Sequence, residues 1–91
     1  MTFVVVRTGV FDQGVCAVED DITDAFDSAE YYASKEHDTY HEFEIRTIQS
    51  NGEYTKVLYK LGTFNPITRT HGRTRLWFNM QSEAAREAAE E

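Results

Sequence analysis

A single cysteine, Cys16, leaves the chain without an internal disulfide. Small secreted domains usually rely on several, so the sequence points to a reducing compartment, the cytoplasm. Long apolar runs are also missing. The opening Thr2-Phe3-Val4-Val5-Val6 is followed at once by Arg7, far short of the roughly 20 residues of a membrane span. It lacks the basic start and small-residue cleavage site of a signal peptide, so no membrane partner is expected. Proline occurs once, at Pro66, and the glycines at 9, 14, 52, 62 and 72 stand alone. That spacing offers no phosphate-cradling loop. There is no linker rich in Gly, Ser or Pro and no internal repeat, and 91 residues fit a single domain, 1–91.

Catalytic frames are scarce as well. No GxSxG elbow is present, and the carboxylates are so many that nothing singles out an acid and a base. His37 and His41 are four residues apart, a spacing that can hold zinc on a helix. Asp38, however, stands where a zinc protease carries its general-base glutamate. The pair also falls where a helix gives way to a strand, which would splay the rings. A calcium loop at Asp20-Asp21-Ile22-Thr23-Asp24 fails because no glycine supplies its sharp turn. The expectation is a protein that is not an enzyme and carries no metal or cofactor.

What the chain has is charge sorted along its length. Residues 1–44 hold eleven carboxylates against two basic side chains, and residues 45–82 hold six basic side chains against one carboxylate. The net charge is −7. Such asymmetry between halves points to a charged partner. Hydrophobic residues make up 41 % and aromatics 13 %, enough apolar bulk for one small core.

Phe3-Val4-Val5-Val6, bounded by Gly9, reads as a buried central strand. Val15-Cys16-Ala17-Val18 follows a turn-like Phe11-Asp12-Gln13-Gly14 and makes an antiparallel hairpin with it. Glu19-Asp20-Asp21-Ile22-Thr23-Asp24 reads as an exposed loop or strand edge, because close like charges repel. Asp27 or Ser28 then caps a helix running to residue 35 or 36, with Ala29, Tyr32 and Ala33 on its buried face and Phe26 packed just before the cap. Phe43, Ile45 and Ile48 alternate with polar residues as a half-buried strand, with a register slip near Thr47-Ile48. Asn51-Gly52 is a hairpin turn leading to a return strand from Tyr54 to Leu61. Thr68-Arg69-Thr70-His71-Gly72-Arg73-Thr74-Arg75 reads as a third, basic hairpin with its tip at His71-Gly72, continuing into Leu76-Trp77-Phe78. Ser82 caps a short Ala/Glu-rich helix over 83–91. The expected fold is α+β: a small antiparallel sheet built as hairpin, helix, hairpin and further strand or hairpin, with a short C-terminal helix.

Phe3-Val4-Val5-Val6-Arg7-Thr8-Gly9, the second strand, Ala25-Phe26-Asp27-Ser28-Ala29-Glu30-Tyr31-Tyr32-Ala33 and the acidic alternating strand after it resemble small uncharacterised bacteriophage proteins, especially those of actinobacterial hosts. The resemblance covers roughly the first half of the chain. It implies a small accessory protein acting in the host cytoplasm. The charge pattern then leads to an expected function: binding, and through binding inhibiting, a host or phage protein. Asp20, Asp21, Asp24, Asp27 and Glu30 would form one contact, resembling the phosphate array of nucleic acid, and Arg69, Arg73 and Arg75 with Trp77 a second. Two alternatives stand beside it. The basic segment 68–77 can act as a nucleic-acid-binding module, with arginines on phosphates and Trp77 stacked on a base, although pI ≈ 4.8 counts against that class. Successive copies can also self-assemble through faces of opposite charge.

Overall fold

The β-branched run at the start forms strand β1 (Phe3–Thr8), paired antiparallel with β2 (Gln13–Glu19). These elements come from a computed structural model, which describes residues 2–9, 13–36, 41–48 and 54–82. Val5 lies opposite Ala17 and Val6 opposite Val15, so Cys16 is the extra residue of a β-bulge in β2. β1 pairs on its other side with β3 (Glu42–Ile48), which makes it the interior strand its apolar run predicts. β4 (Tyr54–Asn65) and β5 (Thr70–Asn79) complete a five-stranded antiparallel sheet of order β2-β1-β3-β4-β5. Register shifts in the β3–β4 ladder include one at Thr47/Ile48, where the hydrophobic alternation slips.

The helix α1 (Ile22–Lys35) starts earlier than Asp27 or Ser28 would allow. Asp21 is its N-cap, its Oδ1 accepting from the Thr23 N–H at 2.7 Å. The acidic stretch is therefore a helix start rather than a loop. Clustered carboxylates are stabilised there by the first-turn N–H groups and the positive end of the helix dipole. Phe26 lies inside the helix, not before it. The buried stripe becomes Ile22, Ala25, Phe26, Ala29 and Ala33, and Tyr32, expected inside, is 38 % exposed. At the other end Lys35 sits in the last turn, and the Glu36 N–H donates to the Ala33 carbonyl at 3.2 Å.

The third hairpin also differs from expectation. β4 continues to Asn65, the turn is 66–69, and His71 and Gly72 lie within β5. Asn65 determines this: its Oδ1 accepts from Ile67 N at 2.9 Å and Thr68 N at 3.2 Å, while its carbonyl accepts from Arg69 N at 2.8 Å. Pro66 supplies the fixed φ that the first turn position favours. The expected set of hairpins closed by a C-terminal helix is thus corrected to one continuous five-stranded sheet carrying a mid-chain helix. Among the described residues α1 is the only helix; the segment 83–91, where the terminal helix was expected, and the Asn51-Gly52 turn lie outside them.

α1 packs on one face of the sheet. Val5, Phe43, Ile45 and Leu61 meet Ala25 and Ala29 in a cluster in which every member is at most 6 % exposed. Alanine at the two closest positions lets the helix approach the strands. Phe26 wedges its ring between Tyr59 and Trp77, with centroids 4.8 and 4.7 Å away, and so extends the contact to β4 and β5. Fully burying a side chain such as Phe43 or Ile45 is worth about 1.5–3 kcal/mol. Val4 and Val6 alternate onto the opposite face and are buried too, which is why β1 reads as a continuous apolar run.

Candidate functional site

The helix cap gathers the acidic residues. Asp20 and Asp21 stand at the entry to α1, Asp24 and Asp27 follow one turn apart on its outward side, and Glu30 lies at the flank facing β5; all five are exposed. Among the described residues, Asp20, Asp24 and Asp27 form no ion pair and no side-chain hydrogen bond. Two of the five also act locally: Asp21 caps the helix, and Glu30 Oε1 accepts from the Trp77 indole N–H at 3.0 Å.

Beside this stripe stand two exposed aromatic rings, Tyr31, which hydrophobic periodicity did not select, and Tyr32, which it placed on the buried face. Tyr31 is 57 % exposed and meets Tyr32 edge-on at 5.3 Å, with the Lys35 ammonium 5.1 Å from the Tyr31 centroid. The signal was present in the sequence: once Asp21 is taken as the cap, the stripe from Ile22 to Ala33 leaves both tyrosines off the buried face.

The basic residues do not form one surface. Arg69 and Arg73 are exposed where β5 begins, at the end of the sheet opposite the start of α1. Arg75 turns inward. Its Nε donates to the His41 carbonyl at 3.0 Å, its Nη1 to the Ala33 carbonyl at 3.4 Å, and its guanidinium lies 5.7 Å from the Phe43 centroid. A bulge makes this reach available: between the pairs Gly62–Leu76 and Phe64–His71, the four β5 residues 72–75 oppose Thr63 alone. Trp77 is half-buried, edge-on to Phe26. Arg75 and Trp77 thus fasten β5 to α1, and the nine residues selected from the sequence separate into an acidic stripe, two internal ties and two exposed arginines.

On the sheet and at the end of α1, opposite charges meet. Glu42 faces Lys60 at 3.5 Å, Glu44 pairs with Arg46, and Arg7 donates to Glu36 at 3.0 Å. Part of the charge sorting along the sequence is therefore cancelled by these pairs, and among the described residues Asp20, Asp24 and Asp27 on the outside of α1 stay outside them. His41 Nδ1 is 3.5 Å from Glu36 Oε2, while His37 lies outside the described residues. Among those residues no three His, Cys, Asp or Glu side chains come together as a metal cluster, and no helix is long and apolar enough to cross a membrane. Cys16 is half-buried, and burial raises its thiol pKa against the opposing pull of Arg7.

No protein-family model, curated protein or solved structure matches the chain.

Proposed function

We propose that this chain is a non-catalytic interaction protein that binds a basic surface of a host or phage protein through the outward side of α1, and that occupying this surface inhibits the partner. The observation that carries the reading is the exposed stripe of Asp20, Asp24 and Asp27, without ion partners among the described residues, beside the exposed rings of Tyr31 and Tyr32. Carboxylates of one sign steer a basic partner and fix its orientation. Tyrosines supply the apolar anchor that a charged surface alone lacks, and they are enriched where interfaces concentrate their binding energy. The resemblance of the first half to phage accessory proteins supplies the setting, a host cytoplasm. A nucleic-acid reading is less well supported, because Arg75 and Trp77 direct their donors into the domain.

The test is capture of a partner from an actinobacterial host lysate, with nuclease added, by the wild type and by the variant Asp20→Asn, Asp21→Asn, Asp24→Asn, Asp27→Asn, Glu30→Gln. Amides keep the acceptor oxygens that cap α1 and hold Trp77, so the variant retains its circular dichroism spectrum. If each exposed charge contributes about 0.2–1 kcal/mol across the contact, affinity for the captured protein falls at least about fivefold. Equal capture by both forms removes the acidic stripe from the account; material that disappears with nuclease transfers the function to Arg69 and Arg73.

A further inference from the structure

Between the last turn of α1 and the start of β2 lies a cleft of about 370 Å³ lined by Arg7, Gly14, Val15, Cys16, Tyr32, Lys35, Glu36 and Phe43. Its size is that of a small-molecule site. Gly14 is what leaves it open. A Cβ added there meets nothing within 4 Å, and the glycine does not adopt a positive φ. Neither sterics nor backbone conformation therefore requires glycine at this position, and glycine inside a strand weakens it. Its one visible effect is an unfilled space facing the helix.

The lining specifies a chemistry. Cys16, packed against the edge of the helix-side core, and Tyr32 give the cleft apolar lining, with Phe43 beneath them at 1 % exposure. Burial keeps the Cys16 thiol in its neutral form, in keeping with an apolar wall. Among the described charged residues of the lining, Arg7 and Glu36 are paired with each other at 3.0 Å, and Lys35 adds one further positive charge. We infer that this cleft binds a small monoanion with a flat apolar body, an arylalkyl carboxylate in chemical class, its ring against Cys16 and Tyr32 and its carboxylate toward Lys35. The site is separate from the acidic stripe and stands whether or not that stripe binds a protein.

The experiment is an NMR titration of ¹⁵N-labelled protein with 3-phenylpropionate, with 3-phenylpropanol and 3-phenylpropylamine as the neutral and cationic forms of the same body. A ligand of this size at ordinary efficiency binds at roughly 1–10 mM. The expected result is a saturable shift centred on the Gly14, Cys16 and Lys35 amides, weaker by at least about fivefold for the alcohol and for Lys35→Gln, and absent for the amine. Gly14→Phe places a ring in the cleft and abolishes the shift. Gly14→Val, a smaller filling that also suits a strand, raises Tm by a few degrees and weakens binding. No saturable shift with the acid, equal response to the acid and the amine, or unchanged binding in a folded Gly14 variant would overturn the proposal.

Discussion

Replacing Arg75 with methionine tests whether this arginine holds the fold together or forms part of an outward contact. Its Nε hydrogen bond to the His41 carbonyl is charge-assisted and partly buried, the kind of bond whose loss costs about 1.5–3 kcal/mol. The Nη1 contact to Ala33 is longer, at 3.4 Å, and the Ala33 carbonyl keeps a second donor in the Glu36 N–H. That second contact therefore adds little. The guanidinium over Phe43 contributes about 0.5–1 kcal/mol at a partly exposed site, and methionine recovers some of it by packing on the ring. Weighing these, Arg75→Met destabilises by about 2 kcal/mol, which in a domain of this size lowers Tm by roughly 8–15 °C. Arg75→Lys recovers less than half, because a single ammonium cannot reproduce the Nε geometry. The assay is urea unfolding followed in parallel by far-UV circular dichroism and by emission from Trp77, the sole tryptophan, which sits against α1. A loss below about 0.5 kcal/mol at unchanged m-value would refute the reasoning. Unchanged stability combined with weakened partner binding would return Arg75 to the contact surface that its place in a basic segment suggests.

Arg69 has φ 59°, the left-handed region that costs an L residue about 1–2 kcal/mol; Arg69→Gly, after the larger unfolded-state entropy of glycine, should stabilise by about 0.5 kcal/mol while Arg69→Ala gives no gain, as read from urea midpoints. Because the folded chain holds the Cys16 proton more tightly than the unfolded chain, unfolding favours its release, and stability falls as pH rises through the thiol range. The decline between about pH 8 and 10 should be shallower in Cys16→Ala, and identical slopes would show that the thiol does not contribute.

Much of the strand content is legible from local pattern. The run Phe3 to Val6 declares an interior strand because neither face alternates with polar residues, and both faces are in fact buried. Phe43 and Ile45 alternate as a strand with one dominant core face, and the slip at Thr47-Ile48 marks a real register shift. The helix start is not legible locally because an acidic cluster has two meanings, a repelling loop or a capped first turn. Only the placement of Ile22 against the sheet selects the second. The position of the last turn failed for a similar reason: His71-Gly72 is as turn-like as Asn65-Pro66, and what separates them is the set of hydrogen bonds that the Asn65 side chain and carbonyl make once the chain has turned.

The sequence by itself determined the sorted charge and the core-forming alternation, since these are properties of residue type and spacing. Which charges remain outward was decided by the tertiary structure. Glu42 meets Lys60 because β3 and β4 are neighbours, and Arg75 and Trp77 turn toward α1 because β5 bulges and pairs in one register. Residues 33 and 75, or 30 and 77, are too far apart along the chain for any local pattern to join them. Their pairing is a consequence of strand order, which sets β5 beside β4 and within reach of α1.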